Sequence, residues 1–236
     1  MPELSVYSGA MHRYWFERIV PERLGVALVG GLLVWVVLAL SFAWAMGAFV
    51  ERATADSSSA WGTALFFATM NVYGVIAGAW VIRRCVALVD DMQLESSASK
   101  LELKGQIGGL SRLRAVVTLL SSLAAGLVHN MILQGTVTQV FANMFSSVIA
   151  TAGSLGTFLS WVVVTHVVSA FVSNAERFAA VGEDAILVDL LQPENHNLIG
   201  RAALLPTLGL VGTQALYPLL WIGGEVNMFA VLPEPP

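Results

Sequence analysis

The chain has 236 residues, of which 56% are hydrophobic and only 12% charged, with a mean hydropathy of +0.73 and a formal net charge of −4. Such a composition excludes the ordinary soluble globular classes and reads as an integral membrane protein, in which the placement of charges matters more than their sum. A single cysteine, Cys85, excludes an internal disulfide and every multi-cysteine metal centre.

Residues 1–23 are too polar to span a bilayer and form an N-terminal segment. Within it, Met11 to Val20 groups Tyr14, Trp15 and Phe16 with Arg13 and Arg18, a pattern suited to an interfacial helix on the cytoplasmic surface. No cleavable signal is evident, because the first long apolar run begins at Leu24 and lacks an A-x-A-like site after it.

Residues 24–222 are expected to form an all-α, polytopic membrane helix bundle with five transmembrane helices, at about 24–50, 60–82, 115–133, 148–173 and 202–222. Each of the runs 115–133 and 148–173 lacks Asp, Glu, Lys and Arg and is long enough to cross a hydrocarbon core of roughly 30 Å. Arg83 and Arg84 close the second span, and the helix is expected to run on through Val86 and Val89. Residues 93–111 read as an exposed loop or short amphipathic turn, and 134–147 as a loop, an interfacial helix or a shallow re-entrant segment. After Arg177, residues 178–200 read as a short structured connector, and 223–236 as an extended external tail. Five spans with the N-terminus in the cytoplasm put every Lys and Arg except Arg52, of 12 in all, on the cytoplasmic side, so the C-terminus is expected outside and the chain in a plasma or inner cell membrane.

Small residues recur at helix-packing spacing: Gly74 and Gly78, Ser122 and Gly126, Ala152 and Gly156. They let two backbones approach closely, within the bundle or against another chain. His129 and His166 are the only ionisable residues expected deep in the bilayer, which makes them candidate cofactor ligands. Counted at 1.5 Å per residue, they lie about 22 Å from Arg114 and about 16 Å from Arg177, an offset of about 6 Å that works against level, bis-histidine haem ligation. Neutral, hydrogen-bonded packing histidines are the competing reading and the preferred one, so no cofactor is expected and haem is the alternative.

No phosphate loop, H-E-x-x-H or G-x-S-x-G motif occurs, and the acidic residues Asp90, Asp91, Glu95, Glu102, Glu176, Glu183, Asp184, Asp189 and Glu194 fall outside the apolar runs at spacings that match no metal loop. No catalytic or metal-ligating residue is therefore assigned. The leading expectation is a non-catalytic structural or assembly subunit of a larger membrane complex. A transporter or channel for a small neutral solute, with Asn71, Asn130, Thr165 and Gln214 lining a polar path, is the second expectation, and a haem- or quinone-binding redox subunit the third. The implied partners are the lipid bilayer and homo- or hetero-oligomeric membrane proteins, with no nucleic acid.

Overall fold

The computed structural model describes residues 12–45, 49, 55–92, 97–107, 109–184 and 193–215. The loop at 51–54, the connector segment 185–191 and the tail from 216 onward, which includes the end of the expected fifth span, lie outside the described residues. Among the described residues the chain is all-α apart from one two-residue pairing, in which β1 (His12–Arg13) runs antiparallel to β2 (Gly109–Leu110). A short helix α1 (Trp15–Ile19) precedes α2 (Leu24–Ala45), α3 (Ala55–Asp91), α4 (Ser97–Ile107), α5 (Arg112–Gln134), α6 (Val137–Met144), α7 (Val148–Asp184) and α8 (Pro193–Gln214).

Among the described residues, four helices are long and apolar enough to cross a membrane: α2, the Trp61–Asp91 part of α3, α5, and the Val148–Ala180 part of α7. The described part of α8 carries Arg201 and Pro206 and does not qualify. In α2 the apolar residues surround the whole helix, and only Ala27, Ala39 and Ala43 are buried; it is a peripheral helix whose large side chains face outward.

Two long helices, α3 and α7, form the centre. They run parallel in a constant register in which Asn71, Gly74 and Gly78 of α3 face Ser160, Val163 and Val167 of α7. A Cβ on Gly74 would lie 2.6 Å from Val163 Cγ1, and one on Gly78 would lie 2.9 Å from Val167 Cγ2 and 3.3 Å from the Phe16 ring. The absence of these two side chains is thus what admits the α7 valines. The same device joins other pairs: Phe158 of α7 fills the space over Gly126 of α5, Phe67 and Phe42 fill that over Gly156, and Phe171 that over Gly209 of α8. Ser122 is buried and donates to Thr118 O (2.7 Å), while Ala152 is half-buried. Gly74, Gly78, Gly126 and Gly156 therefore meet partners inside this chain.

Helices α3 and α7 each have 37 residues, about 55 Å of helix, far more than a hydrocarbon core requires. The surplus at the C-terminal end of α3 extends the core past the apolar run, where Cys85, Val89 and Met92 pack with Leu103 and Ile107 of α4, Leu110, Tyr14, Phe16 and Phe178. This differs from the exposed loop or short amphipathic turn expected for 93–111, whose described part includes an 11-residue helix with one face docked. Leu103 and Ile107 are one turn apart, a spacing short enough to be hidden among Lys100, Glu102, Lys104 and Gln106, and they dock α4 beneath the bundle. Lys104 pairs with Asp90, and Lys100 Nζ donates to Asp90 O (3.1 Å). Of the acidic residues that fall outside the apolar runs, Asp90 and Asp91 end α3, and Glu176 lies on α7. The segment from Phe178 continues α7 as helix to Asp184.

Helix α5 starts at Ser111, whose hydroxyl accepts from Arg114 N (3.2 Å), and ends at Gly135, whose φ of 99° is one that glycine adopts freely. The following residues form a helix, which removes the plain-loop expectation for 134–147. Thr136 and Gln139 form a capping box for α6, Val140 is buried, and Val137 and Phe141 are exposed on one side, with Phe145 exposed just beyond the helix end.

Candidate functional site

Polar side chains inside the four long helices are few, and most are satisfied locally. Asn71 Nδ2 donates to Phe67 O (2.7 Å) and to Ser160 Oγ (3.0 Å), linking α3 to α7 at mid-span. On α5, Asn130 Nδ2 donates to Gly126 O (2.9 Å), and Gln134 Nε2 donates to Asn130 Oδ1 (2.9 Å) and Ser154 Oγ (3.3 Å). Thr165 Oγ1 returns to Trp161 O (2.6 Å) in its own helix. These groups satisfy their own helices or clamp neighbours together. The side chain of Gln214, the remaining member of the polar path considered for a solute, is outside the described set.

The two histidines part company. His166 is 7% exposed, donates from Nδ1 to Val162 O (2.8 Å), and sits edge-on to Trp15 with ring centroids 6.3 Å apart. It is thus held as a hydrogen-bonded packing residue under α1. His129 lies edge-on to Trp161, with centroids 6.2 Å apart. Positions 161 and 166 of α7 are five residues, hence about 140°, apart around the helix, so the two imidazoles address different sectors of it. A cavity of about 120 Å³ beside His129 is walled by Phe66, Phe67, Met70, Thr157, Ser160 and Trp161. His129 lines this cavity, and the residue as a whole is exposed. Its distance from the end of α5 is about 7.5 Å. No three His, Cys, Asp or Glu side chains cluster to hold a metal among the described residues.

A second polar site lies at the base of the bundle, where the N-terminal segment docks. Arg83, at the end of the expected second span, donates to Pro21 O (2.6 Å), Glu17 O (3.1 Å) and Val20 O, gathering the carbonyls at the C-terminal end of α1. Arg114 of α5 donates to Ser173 Oγ (3.0 Å) and pairs with Glu176 (2.9 Å), and Arg177 Nη2 donates to Gly109 O (3.1 Å). Tyr14 is buried against this group, facing Ser173 without a well-aligned hydrogen bond, and the Asn174 amide is buried without a partner among the described residues. Burial pushes the Tyr14 hydroxyl above its ordinary pKa, against the pull of Arg177 and Arg114, so it remains a neutral donor. The sequence gives only a faint sign of this cluster: Ser173, Asn174 and Arg177 occur at offsets that share one helix side, at the point where the apolar run stops.

Glu17 supplies a pH-dependent element at the same site. Burial raises its carboxyl pKa, while Arg13 and Arg83 pull the other way. A carboxyl raised in the folded state holds its proton more tightly there than in the unfolded chain. Its contribution to stability is therefore complete below the unfolded pKa and is lost as pH rises through the folded value. Glu17→Gln is expected to raise the thermal midpoint at pH 8 and to leave it nearly unchanged at pH 4. A midpoint at pH 8 equal to or below that of the unmodified protein counts against the burial argument.

No family model, curated protein or solved structure matches the chain, so the geometry carries the functional reading.

Proposed function

We propose that this protein is a non-catalytic, multi-pass subunit of a larger assembly in a plasma or inner cell membrane, and that it meets its partner through the exposed flank of α5 around His129. The observation behind this reading is the position of His129, an exposed residue on a helix long and apolar enough to span. An ionisable side chain turned toward lipid is expensive, and a neighbouring protein surface with a hydrogen-bonding group relieves that cost. The glycine faces that were the alternative contact surfaces are filled by Val163, Val167, Phe158, Phe67 and Phe42 of this chain, which leaves α5 as the favoured side. The expected association is a species heavier than the 25.2 kDa chain when the protein is released from native membranes in lipid nanodiscs and weighed intact. His129→Leu is expected to weaken that association while the isolated chain stays folded, at a cost of about 1–2 kcal/mol for one interhelical hydrogen bond. A wild-type chain that emerges only as a monomer, with no copurifying protein, contradicts the proposal.

The arrangement in the membrane belongs to the same proposal: a cytoplasmic N-terminus, a fifth crossing that begins in α8, and an external C-terminus. Its support is the charge distribution, since Arg83, Arg84, Lys100, Lys104, Arg112, Arg114 and Arg177 fall on the α3 end, α4, the α5 start and the α7 end, at one end of the bundle. In a Cys85→Ser background, cysteines introduced at Ser58 and Glu234 are expected to react with a membrane-impermeant reagent from outside, and one at Ser97 to be protected. Labelling of the Ser97 position in intact cells overturns the orientation, and protection of the Glu234 position changes the number of crossings.

A further inference from the structure

Between α1, α2, α3 and α7 lies an apolar cavity of about 370 Å³, walled by Trp15, Val34, Leu38, Val72, Val75 and Leu159 among others. It abuts a second cavity of about 280 Å³ that shares Val20, Pro21, Ala27 and Ile76 with it and adds Glu22, Trp80, Arg83 and Arg84. The two form one amphipathic groove, apolar toward the middle of the bundle and charged at the end where α3 leaves the apolar run. Two arginines against the single carboxylate of Glu22 leave the charged end positive. Arg83 is already committed to the α1 carbonyls. Arg84 is exposed, lies over the Trp80 ring at 5.6 Å from its centroid, and has no acidic partner among the described residues. On the far side of Trp80 and Arg84 a further cavity of about 360 Å³ adds Arg201, with Asp91 as its acid.

We propose that this groove binds one anionic phospholipid, with an acyl chain in the apolar cavity and the phosphate at Arg84. The chemistry fits at both ends. Basic pockets between membrane helices on the cytoplasmic side attract anionic head groups, and a guanidinium laid over an indole, with no carboxylate at ion-pair distance among the described residues, is held in place for a phosphate. The apolar compartment argues for a lipid over free phosphate, because the charged end opens into a chamber whose only buried polar wall residue is Asn71.

The test uses the full chain, stripped of lipid in detergent and weighed intact with added phosphatidylglycerol or phosphatidylcholine of identical acyl chains. The expected result is retention of one phosphatidylglycerol about fivefold more strongly than phosphatidylcholine, the effect of one arginine near a surface. Arg84→Gln is expected to abolish that preference. Gly30→Leu places its side chain in the apolar cavity, where a Cβ meets nothing within 4 Å, and is expected to reduce retention of both lipids. Equal retention of the two lipids by the wild type, an unchanged preference in Arg84→Gln, or displacement of phosphatidylglycerol by inorganic phosphate alone would each overturn the assignment.

Discussion

Gly78→Leu is expected to produce a large loss of stability. Its Cβ alone would sit 2.9 Å from Val167 Cγ2 and 3.3 Å from the Phe16 ring, so the rest of a leucine has to displace both α7 and the first residues of α1. Overpacking in a filled core costs typically about 1–3 kcal/mol. Here the two displaced neighbours belong to different elements, which puts the expected cost at the upper end of that range. Gly153→Ala on α7 is the matched control, because a Cβ there meets nothing within 4 Å and the change to a better helix former is worth up to about 1 kcal/mol. A thermal midpoint that falls sharply for Gly78→Leu and holds or rises for Gly153→Ala is the expected pattern in detergent. Equal behaviour of the two variants, with assembly alone affected by Gly78→Leu, would move Gly78 from the interior of the chain to an intermolecular face.

The second large effect is expected at Arg83. Its guanidinium serves Pro21 O, Glu17 O and Val20 O together, and hydrogen bonds from a charged group are worth about 1.5–3 kcal/mol each before their mutual dependence is counted. Arg83→Met keeps most of the apolar stem and removes all three donors. It should release α1 without unfolding the long helices. Limited trypsin digestion reads this directly, since cleavage after Arg13, Arg18 or Arg23 is expected to accelerate at least several-fold while the α3–α7 fragment survives. Unchanged cleavage at these sites would show that Tyr14 and Phe16, both buried, hold the segment without the arginine.

Much of this architecture is legible from residues. Charge-free runs mark the α5 and α7 crossings, and the small-residue spacings mark where helices touch. The partner of each small residue is not legible, because a glycine records only that something comes close. Which helix supplies the valine or phenylalanine depends on the parallel register of α3 and α7, a long-range property. Helix α4 escapes notice for a similar reason: two buried residues one turn apart, Leu103 and Ile107, are enough to dock a helix when the surplus turns of α3 stand ready to receive them. The histidines show the same limit. Both lie in apolar runs, yet one is buried under Trp15 and the other is an exposed residue against Trp161, a difference set by their helix faces and not by their depth.

The proposal that α5 presents a protein-facing flank is tested most directly by site-specific photocrosslinking in native membranes. A photoreactive residue in place of Val128, which is 54% exposed and adjoins His129 in the chain, is the probe, with the same residue in place of Val29 on the outward side of α2, 63% exposed, as the reference. The account predicts a discrete protein adduct from position 128 and lipid adducts alone from position 29. Lipid adducts alone from both positions would contradict it.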